Sequence, residues 1–136
     1  MSEHIFDPSG PYHPEKLIKK AHIGADSFFQ LDLRTGVIIR SEEFPEMRKP
    51  SYKIEVNFGP VIGNLWSSAQ ITNYSLSELI GRRVVGALNL GEKRLPTGFL
   101  SQFLVLGALE PDGTVRLLEP PEGVMPVSYT HLRAHE

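Results

Sequence analysis

The chain of 136 residues contains no cysteine, and this absence excludes several kinds of site. Without thiols there is no disulfide, no thiolate zinc site, no iron–sulfur cluster and no cysteine nucleophile. The longest apolar runs, such as Phe103–Leu106, end well before the roughly 20 residues that span a bilayer. The N-terminus has no basic region followed by a long apolar stretch, as a secretory signal would. We therefore expect a soluble, cytoplasmic protein that does not contact a membrane.

Catalytic signatures are also missing. Histidine is absent from the whole of Ile23–Thr130, which removes most triad and metal schemes from the predicted domain. There is no His-Glu-x-x-His, P-loop, Gly-x-Ser-x-Gly or dinucleotide-binding fingerprint. The acidic residues Glu42, Glu43 and Glu46 are typical of a solvated loop rather than of a general acid/base pair. The sequence therefore predicts a protein that is not an enzyme, with no metal site and no cofactor.

The composition suits one small globular domain. Hydrophobic residues make up 40% of the chain, enough to fill a core, and the length is too short for two well-stabilised cores. The 14 basic and 16 acidic residues give a formal charge of −2. This balance argues against a strongly basic RNA-coating protein, although it leaves room for a local basic face.

Hydrophobic side chains recur at every second position through the middle of the chain, which is the period of a strand with one buried face. In the clearest case, Tyr52–Phe58, the apolar residues alternate with Lys, Glu and Asn. Turn-forming residues stand at Gly59–Pro60 and at Pro111–Gly113, where we expect a hairpin. Strands are predicted over Thr35–Arg40, Tyr52–Phe58, Val61–Ile71, Arg83–Leu90, Gln102–Leu109 and Thr114–Leu118.

One capped helix interrupts these strands. The segment Ser75-Leu-Ser-Glu78 fits the capping box, and Gly81 can end the helix in a left-handed conformation. Short antiparallel strands must bury one face and protect their edges, and closure into a small barrel does both. We therefore predict an all-β fold, a five-stranded barrel of the oligonucleotide/oligosaccharide-binding (OB) type. Its short helix lies between strands 3 and 4, and terminal elements are added to the barrel.

Before the barrel, residues 1–25 are expected to form an N-terminal extension. Three prolines favour extended backbone up to His13, and a short helix is predicted over Pro14–His22. A further helix should begin at Asp26, with Phe28 and Phe29 packing onto the strands. The OB domain is predicted over residues 26–126.

The last ten residues, 127–136, break the pattern of the domain. They show neither strand alternation nor a helix cap, and they resemble a translated sequencing-adaptor fragment. We expect this tail to be non-native and leave it out of functional reasoning. Finding it encoded in frame at the source locus would contradict that expectation.

A group of small polar residues follows the apolar part of the third predicted strand. Ser67, Ser68 and Gln70 lie in the stretch Trp66–Ile71, and such hydroxyls and amides can contact phosphates, sugars and base edges on a barrel surface. The alternative is a solvated strand end with a structural glutamine. Trp66 could stack on a base, although a single tryptophan in a β protein more often lies in a core or interface.

Basic residues occur as neighbouring pairs along the chain. Lys93 and Arg94 stand in the loop between the last two barrel strands, which in an OB barrel borders the nucleic-acid face, so they are the best phosphate candidates. Taken singly, each pair is typical of an ordinary solvated surface. The pairs are Arg48-Lys49, Arg82-Arg83 and Lys93-Arg94.

Several segments, in unbroken order from about Phe28 to Pro126, resemble the bacterial and archaeal CsaA proteins. The resemblance implies a stand-alone version of the tRNA-binding OB domain that some methionyl- and phenylalanyl-tRNA synthetases also carry. The matching segments are Leu31-Asp-Leu-Arg-Thr-Gly-Val-Ile-Ile39, Glu43-Phe-Pro-Glu-Met-Arg-Lys-Pro50, Val56-Asn-Phe-Gly59, Ser67-Ser-Ala-Gln-Ile-Thr-Asn-Tyr74, Leu79-Ile-Gly-Arg-Arg-Val-Val85, Asn89-Leu90, Gly98-Phe99 and Phe103-Leu-Val-Leu-Gly107.

The resemblance implies a homodimer and an export-related chaperone that binds unfolded or precursor polypeptides, with tRNA binding as a related activity. Carried over by motif, six residues would belong to the nucleic-acid face, and Phe99 and Trp66 to the peptide-binding surface. The nucleic-acid residues would be Lys49, Ser67, Ser68, Gln70, Lys93 and Arg94.

The chain departs from the family pattern at basic positions. Many members have Lys or Arg where this chain has Leu65 and Trp66, and another basic position is Leu100 here. Each lost phosphate contact weakens salt-dependent affinity, so tRNA binding should be weaker than in basic members. The same changes add apolar surface, which favours peptide binding. The main alternative is a tRNA-binding accessory module without chaperone activity, and a second is an OB interaction domain whose partner is another protein.

Overall fold

The computed structural model describes residues 14–122 and the short strand His131–Leu132. Most of the segment before the first helix and most of the expected non-native tail lie outside the described residues. No described helix is long and apolar enough to cross a membrane. The strands are β1 Leu33–Glu43, β2 Tyr52–Asn57, β3 Asn64–Ala69, β4 Arg83–Ala87, β5 Lys93–Arg94, β6 Leu100–Ser101, β7 Leu104–Val105, β8 Gly107–Leu109, β9 Val115–Leu117 and β10 His131–Leu132, and the helices are α1 Ala25–Phe29 and α2 Leu76–Leu79.

The predicted OB barrel is confirmed. Five antiparallel strands follow one another in the order β3-β2-β1-β4-β7, and the long β1 pairs with β2 along its second half and with β4 along its first half. The β1–β2 register shifts between Ile38 and Arg40, so a bulge bends β1 where it passes from one neighbour to the other. The helix α2 lies between β3 and β4, as the sequence indicated.

The barrel closes between β3 and the last strand segment, which is broken into β6 and β7. The amide of Gln102 donates to the carbonyl of Trp66 (2.7 Å), and the Trp66 amide donates to the Gln102 side-chain Oε1 (3.0 Å). One residue further on, the Ser67 hydroxyl donates to the Phe103 carbonyl (2.7 Å). At this seam, side-chain hydrogen bonds therefore take the place of some of the backbone hydrogen bonds that would join two regular strands.

The core is built from the inward positions of the alternating strands. Ile54 and Val56 of β2 are fully buried, and Phe58 and Phe103 meet edge to face with ring centroids 5.0 Å apart. Burial of each such side chain contributes roughly 1.5–3 kcal/mol. The buried cluster comprises Ile38, Ile54, Val56, Phe58, Ala69, Ile71, Leu79, Val84, Phe103 and Leu117.

The capping box predicted for α2 is confirmed. The Glu78 amide donates to the Ser75 hydroxyl (3.3 Å), and the Ser75 amide donates to the Glu78 carboxylate (2.7 Å). Gly81 follows with φ of 85° and donates its amide to the Ile38 carbonyl (2.8 Å). The end of the helix is thereby joined to β1.

The N-terminal helices differ from the predictions. Within Pro14–His22 the structure has one 3-10 turn, Pro14–Lys16, because so short a segment does not offset the cost of helix nucleation without docking. The helix α1 is present, but Phe28 and Phe29 are 40% and 49% exposed, and their rings meet edge to face. Neither is among the apolar residues that form the buried core cluster or pack against it, so the prediction that they pack onto the strands is wrong as far as the core is concerned.

Two hairpins and one short strand supplement the five-stranded order. β8 and β9 form the hairpin predicted around Pro111–Gly113. β5 and β6 form a second hairpin, in a segment that the sequence predicts to be a loop. The backbone of β10 pairs with β1 at Leu33 and Arg34. The non-native origin of residues 127–136 stays a prediction.

Candidate binding face

The outward surface of β1, β2 and β3 carries a patch of polar and aromatic side chains. Along β3, Ser67 is buried while Trp66 and Ser68 are half-buried on the outer side. The strand register places Lys53 of β2 between Ser68 and Glu42 of β1. Side chains opposite one another in adjacent strands are close enough to interact, so these residues form one continuous face.

An open cleft of about 450 Å³ lies on this face, and we call it the aromatic cleft. Phe99 lines it, with its ring centroid 5.3 Å from that of Phe44 and 6.0 Å from that of Trp66, both in edge-to-face arrangements. Such pairs add to the stability expected from buried area alone. The lining residues are Glu42, Lys53, Trp66, Gly98, Phe99, Leu100 and Gln102.

A lysine ammonium lies over two of these rings. The Nζ of Lys53 is 4.8 Å from the ring centroid of Phe44 and 5.4 Å from that of Phe99. The negative faces of aromatic rings attract a cation at this range. Sequence reasoning missed Lys53 and Phe44, since the first occupies an ordinary polar position of an alternating strand and the second lies in a predicted loop.

The β5–β6 hairpin holds Phe99 over the cleft. The amide of Leu95 donates to the Phe99 carbonyl (2.8 Å), and Thr97 at the tip has a left-handed backbone with φ of 66°. That conformation is strained for a β-branched residue. The side-chain amide of Gln102 donates to Glu92 (3.1 Å), which fastens the start of the hairpin to the barrel seam. The hydrogen bond within the hairpin and the one to the barrel seam therefore both help to fix the position of Phe99.

The Ser-Ser motif has one inward and one outward side chain. Ser67 is 0% exposed, and its hydroxyl donates to the Phe103 carbonyl at the barrel seam, so its side chain offers no surface to a ligand. This corrects its assignment to a nucleic-acid face. Ser68 points outward, and its amide donates to the hydroxyl of Ser101 (3.2 Å).

Lys49 and Gln70 meet in a second depression of about 440 Å³, which we call the polar cleft. Asp112 lies there too, and hydrogen bonds from the amide and hydroxyl of Thr114 hold the pKa of its carboxyl below the ordinary value of 3.8. The lining residues are Arg48, Lys49, Pro50, Gln70, Thr72, Asn73, Asp112, Gly113 and Thr114. None of them lines the aromatic cleft.

Lys93 and Arg94 lie on the exposed strand β5 instead. The guanidinium of Arg94 donates to the Gly98 carbonyl (3.3 Å), which brings this cation to the edge of the aromatic cleft. The predicted nucleic-acid residues therefore fall into two groups, one at the polar cleft and one on the β5–β6 hairpin. Within the part of the chain that the structure describes, no cluster of His, Asp and Glu could hold a metal ion.

Solved structures with a similar fold include two chaperones. A CsaA chaperone protein from Picrophilus torridus is 39% identical, with a TM-score of 0.75, over 82% of this chain and all of its own. Chaperone CsaA from Bacillus anthracis is 38% identical, with a TM-score of 0.73, over 83% of this chain and all of its own. No protein-family profile matches the chain.

The chain is also similar to part of several methionine–tRNA ligases. The ligase named methionine–tRNA ligase 1 of Sorangium cellulosum is 34% identical over 106 residues, which is 78% of this chain. The chain spans only 15% of the length of that ligase. The matched part is the C-terminal, non-catalytic part of such an enzyme.

Proposed function

This chain belongs to the CsaA family, and from that premise we propose that it is a non-enzymatic chaperone that binds unfolded or precursor polypeptides in the cytoplasm before export. The observation that carries the proposal is the aromatic cleft, in which Trp66 and Phe99 are half-buried and line an open depression. An unfolded chain presents apolar side chains that such a cleft can bury. No cofactor or nucleotide is needed for capture of this kind.

The size of the cleft suits weak, sequence-tolerant binding. Full burial of one large apolar side chain contributes roughly 1.5–3 kcal/mol, and ordering the client segment offsets part of that gain. A cleft of about 450 Å³ accommodates a few side chains of an extended segment rather than a folded domain. Clients would thus be held transiently and released without an energy source.

A second candidate function is tRNA binding, which the similarity to methionine–tRNA ligases favours. The residues for it are Lys49 and Gln70 in the polar cleft and Lys93 and Arg94 on the β5–β6 hairpin, with Ser68 on the strand between them. Cations at these positions would contact backbone phosphates, and the affinity would fall steeply with salt. In the alternative form of this proposal, the protein is a tRNA-binding accessory module without chaperone activity.

We also propose that the protein is a homodimer. The segment before β1 exposes several large apolar side chains, an arrangement that a partner surface can cover. Sedimentation at high micromolar concentration should show a dimer, and a monomer there would contradict the proposal. The exposed side chains are Leu17, Ile18, Ile23, Phe28 and Phe29.

The chaperone proposal is tested by suppression of aggregation of a chemically denatured enzyme. The wild-type protein should suppress light scattering at stoichiometric ratios with little dependence on salt, because apolar contacts are not screened. The substitution Phe99→Ala removes the ring that contacts both Phe44 and Trp66 and should lose most of this effect. Val61→Ala, a change at a loop side chain that is 77% exposed, is the control and should keep it.

The two functions give separable outcomes. No suppression by the wild-type protein at any ratio would refute the chaperone proposal. The double charge reversal Lys93→Glu with Arg94→Glu should abolish a salt-sensitive mobility shift of tRNA and leave aggregation suppression intact. Unchanged tRNA affinity in that variant would exclude the β5–β6 hairpin from the RNA interface.

A further inference from the structure

Lys53 occupies an unusual place in the aromatic cleft. Its ammonium lies over the rings of Phe44 and Phe99, while Trp66 forms another part of the same cleft. The residue is half-buried on the central strand of the binding face. A cation is thus placed among the side chains that would receive the apolar part of a client.

The aromatic rings leave the hydrogen-bonding capacity of this ammonium unused. A lysine ammonium has three N–H donors. The face of an aromatic ring attracts its charge but has no lone pair that accepts a hydrogen bond. Across residues 14–122, Lys53 forms neither an ion pair nor a side-chain hydrogen bond. A carboxylate from a ligand would supply a charged acceptor for these unused donors.

From this arrangement we propose that Lys53 makes the aromatic cleft selective for extended polypeptide segments that carry an acidic side chain two positions from an aromatic or large aliphatic one. The inference rests on the proposed chaperone function and names its preferred client chemistry. In an extended segment, side chains two positions apart point to the same side and lie about 7 Å from each other. The Nζ of Lys53 is 5.4 Å from the centroid of the Phe99 ring, so both side chains can enter the cleft together.

Glu42 limits how much negative charge the cleft accepts. It lines the same cleft and lies opposite Lys53 in the β1–β2 register. A second carboxylate in the ligand would approach Glu42 and be repelled. The preferred client therefore has one acidic residue next to apolar ones, and a polyacidic run is disfavoured.

The chain contains one tryptophan, Trp66, and its position in the cleft provides a direct readout of binding. Fluorescence titrations would use three peptides of equal length that differ at one position, with the cores Phe-Ser-Asp, Phe-Ser-Asn and Phe-Ser-Lys. The wild-type protein should bind the acidic peptide about 5- to 10-fold more tightly than the amide peptide, as a charge-assisted hydrogen bond requires. The lysine peptide should bind most weakly.

Substitutions at Lys53 distinguish the effect of its positive charge on peptide binding from the effect of its apolar stem. Lys53→Met keeps an unbranched apolar stem and should reduce the preference for the acidic peptide to less than about 2-fold, because the charged donor is gone. Lys53→Arg should retain the preference. Glu42→Gln should strengthen it. Arg116→Met removes an exposed cation outside the cleft and is the control that should change nothing.

The outcomes distinguish this inference from the function on which it rests. If all three peptides bind the wild-type protein equally, or if Lys53→Met keeps the acidic preference, the selectivity assigned to Lys53 is wrong while the chaperone proposal stands. If no peptide changes the Trp66 signal, the chaperone proposal itself fails and the selectivity fails with it. If Lys53→Met leaves peptide binding unaltered but weakens quenching by a single-stranded RNA, Lys53 is an RNA contact and the inference is overturned.

Discussion

The hydroxyl of Ser67 and the carbonyl of Phe103 are joined by a hydrogen bond of 2.7 Å across the seam of the barrel. Ser67 is fully buried and Phe103 belongs to the core. The bond lies where the last strand is interrupted between β6 and β7, so a side chain supplies a contact that the backbone ladder does not. The first serine of the Ser-Ser motif thus has a structural role.

Replacing Ser67 should destabilise the fold. Ser67→Ala leaves a buried carbonyl without its donor and should lower the free energy of unfolding by about 1–3 kcal/mol. Ser68→Ala, the matched control on the outer face, should change it by less than about 0.5 kcal/mol. Urea denaturation of both variants measures the difference. Equal stability of the two variants would contradict the structural role of Ser67.

Gly36 should not tolerate a side chain. A Cβ at this position of β1 would lie 2.5 Å from Cγ1 of Val56, 2.8 Å from Cδ1 of Phe58 and 2.9 Å from the Asn57 carbonyl oxygen. Because backbone as well as side chains would have to move, Gly36→Ala should cost about 1–3 kcal/mol of stability. Thermal unfolding compares it with Glu43→Ala, an exposed position on the same strand. Equal melting temperatures would show that β2 can shift to make room.

Thr97 offers a stabilising substitution. Its φ of 66° is unfavourable for a β-branched residue, whereas asparagine tolerates the left-handed region. Thr97→Asn should raise the free energy of unfolding by about 0.5–1 kcal/mol. The control is Thr72→Asn, which makes the same exchange at a residue whose φ is not positive. Chemical denaturation compares the free energies of unfolding of the two variants. A lower midpoint for Thr97→Asn than for wild type would refute the assignment of strain.

Asp112 should titrate below its ordinary value. The Thr114 amide and hydroxyl bond its charged form, so its pKa is lowered in the folded state. A group with a depressed folded pKa contributes stability above its unfolded pKa and loses it as the pH falls through the folded pKa. The β8–β9 turn should therefore weaken only in acid.

Carboxyl NMR titration checks this prediction for Asp112. The midpoint should lie below 3.8 in the wild-type protein. Thr114→Ala removes the hydroxyl donor and keeps the amide, so its midpoint should move partway back toward that value. A wild-type midpoint at or above 3.8 would contradict the hydrogen-bonded turn.

Local sequence patterns were sufficient for much of the fold. The alternation in Tyr52–Phe58, the capping box at Ser75 and the hairpin at Pro111–Gly113 each depend on residues that are near neighbours in the chain. The β5–β6 hairpin could not be predicted in this way, because a strand of two residues shows no period. The predicted helix at Pro14–His22 has suitable residues, but residues 15–22 are exposed and gain no packing that would offset the cost of helix nucleation.

The candidate binding face was only partly accessible to sequence reasoning. Trp66 and Phe99 were assigned to peptide binding, and the structure brings their rings to 6.0 Å from one another in a single cleft. Ser67 is predicted to lie on the outer face, but the structure buries it. Side chains alternate along a strand, so a shift of the strand register by one residue decides which serine of the pair points inward. The pattern Ser-Ser does not contain that information.

What the sequence determined by itself was therefore the strand period, the helix cap and the chemistry that the chain lacks, since each is a property of neighbouring residues. What only the tertiary structure decided was the meeting of Phe44, Lys53 and Phe99, which come from a loop, a strand and a hairpin. Closure of the barrel brings them within 6 Å because the strand register and the β5–β6 hairpin act together. No local pattern encodes such a contact, because its energy depends on side chains that are far apart along the chain.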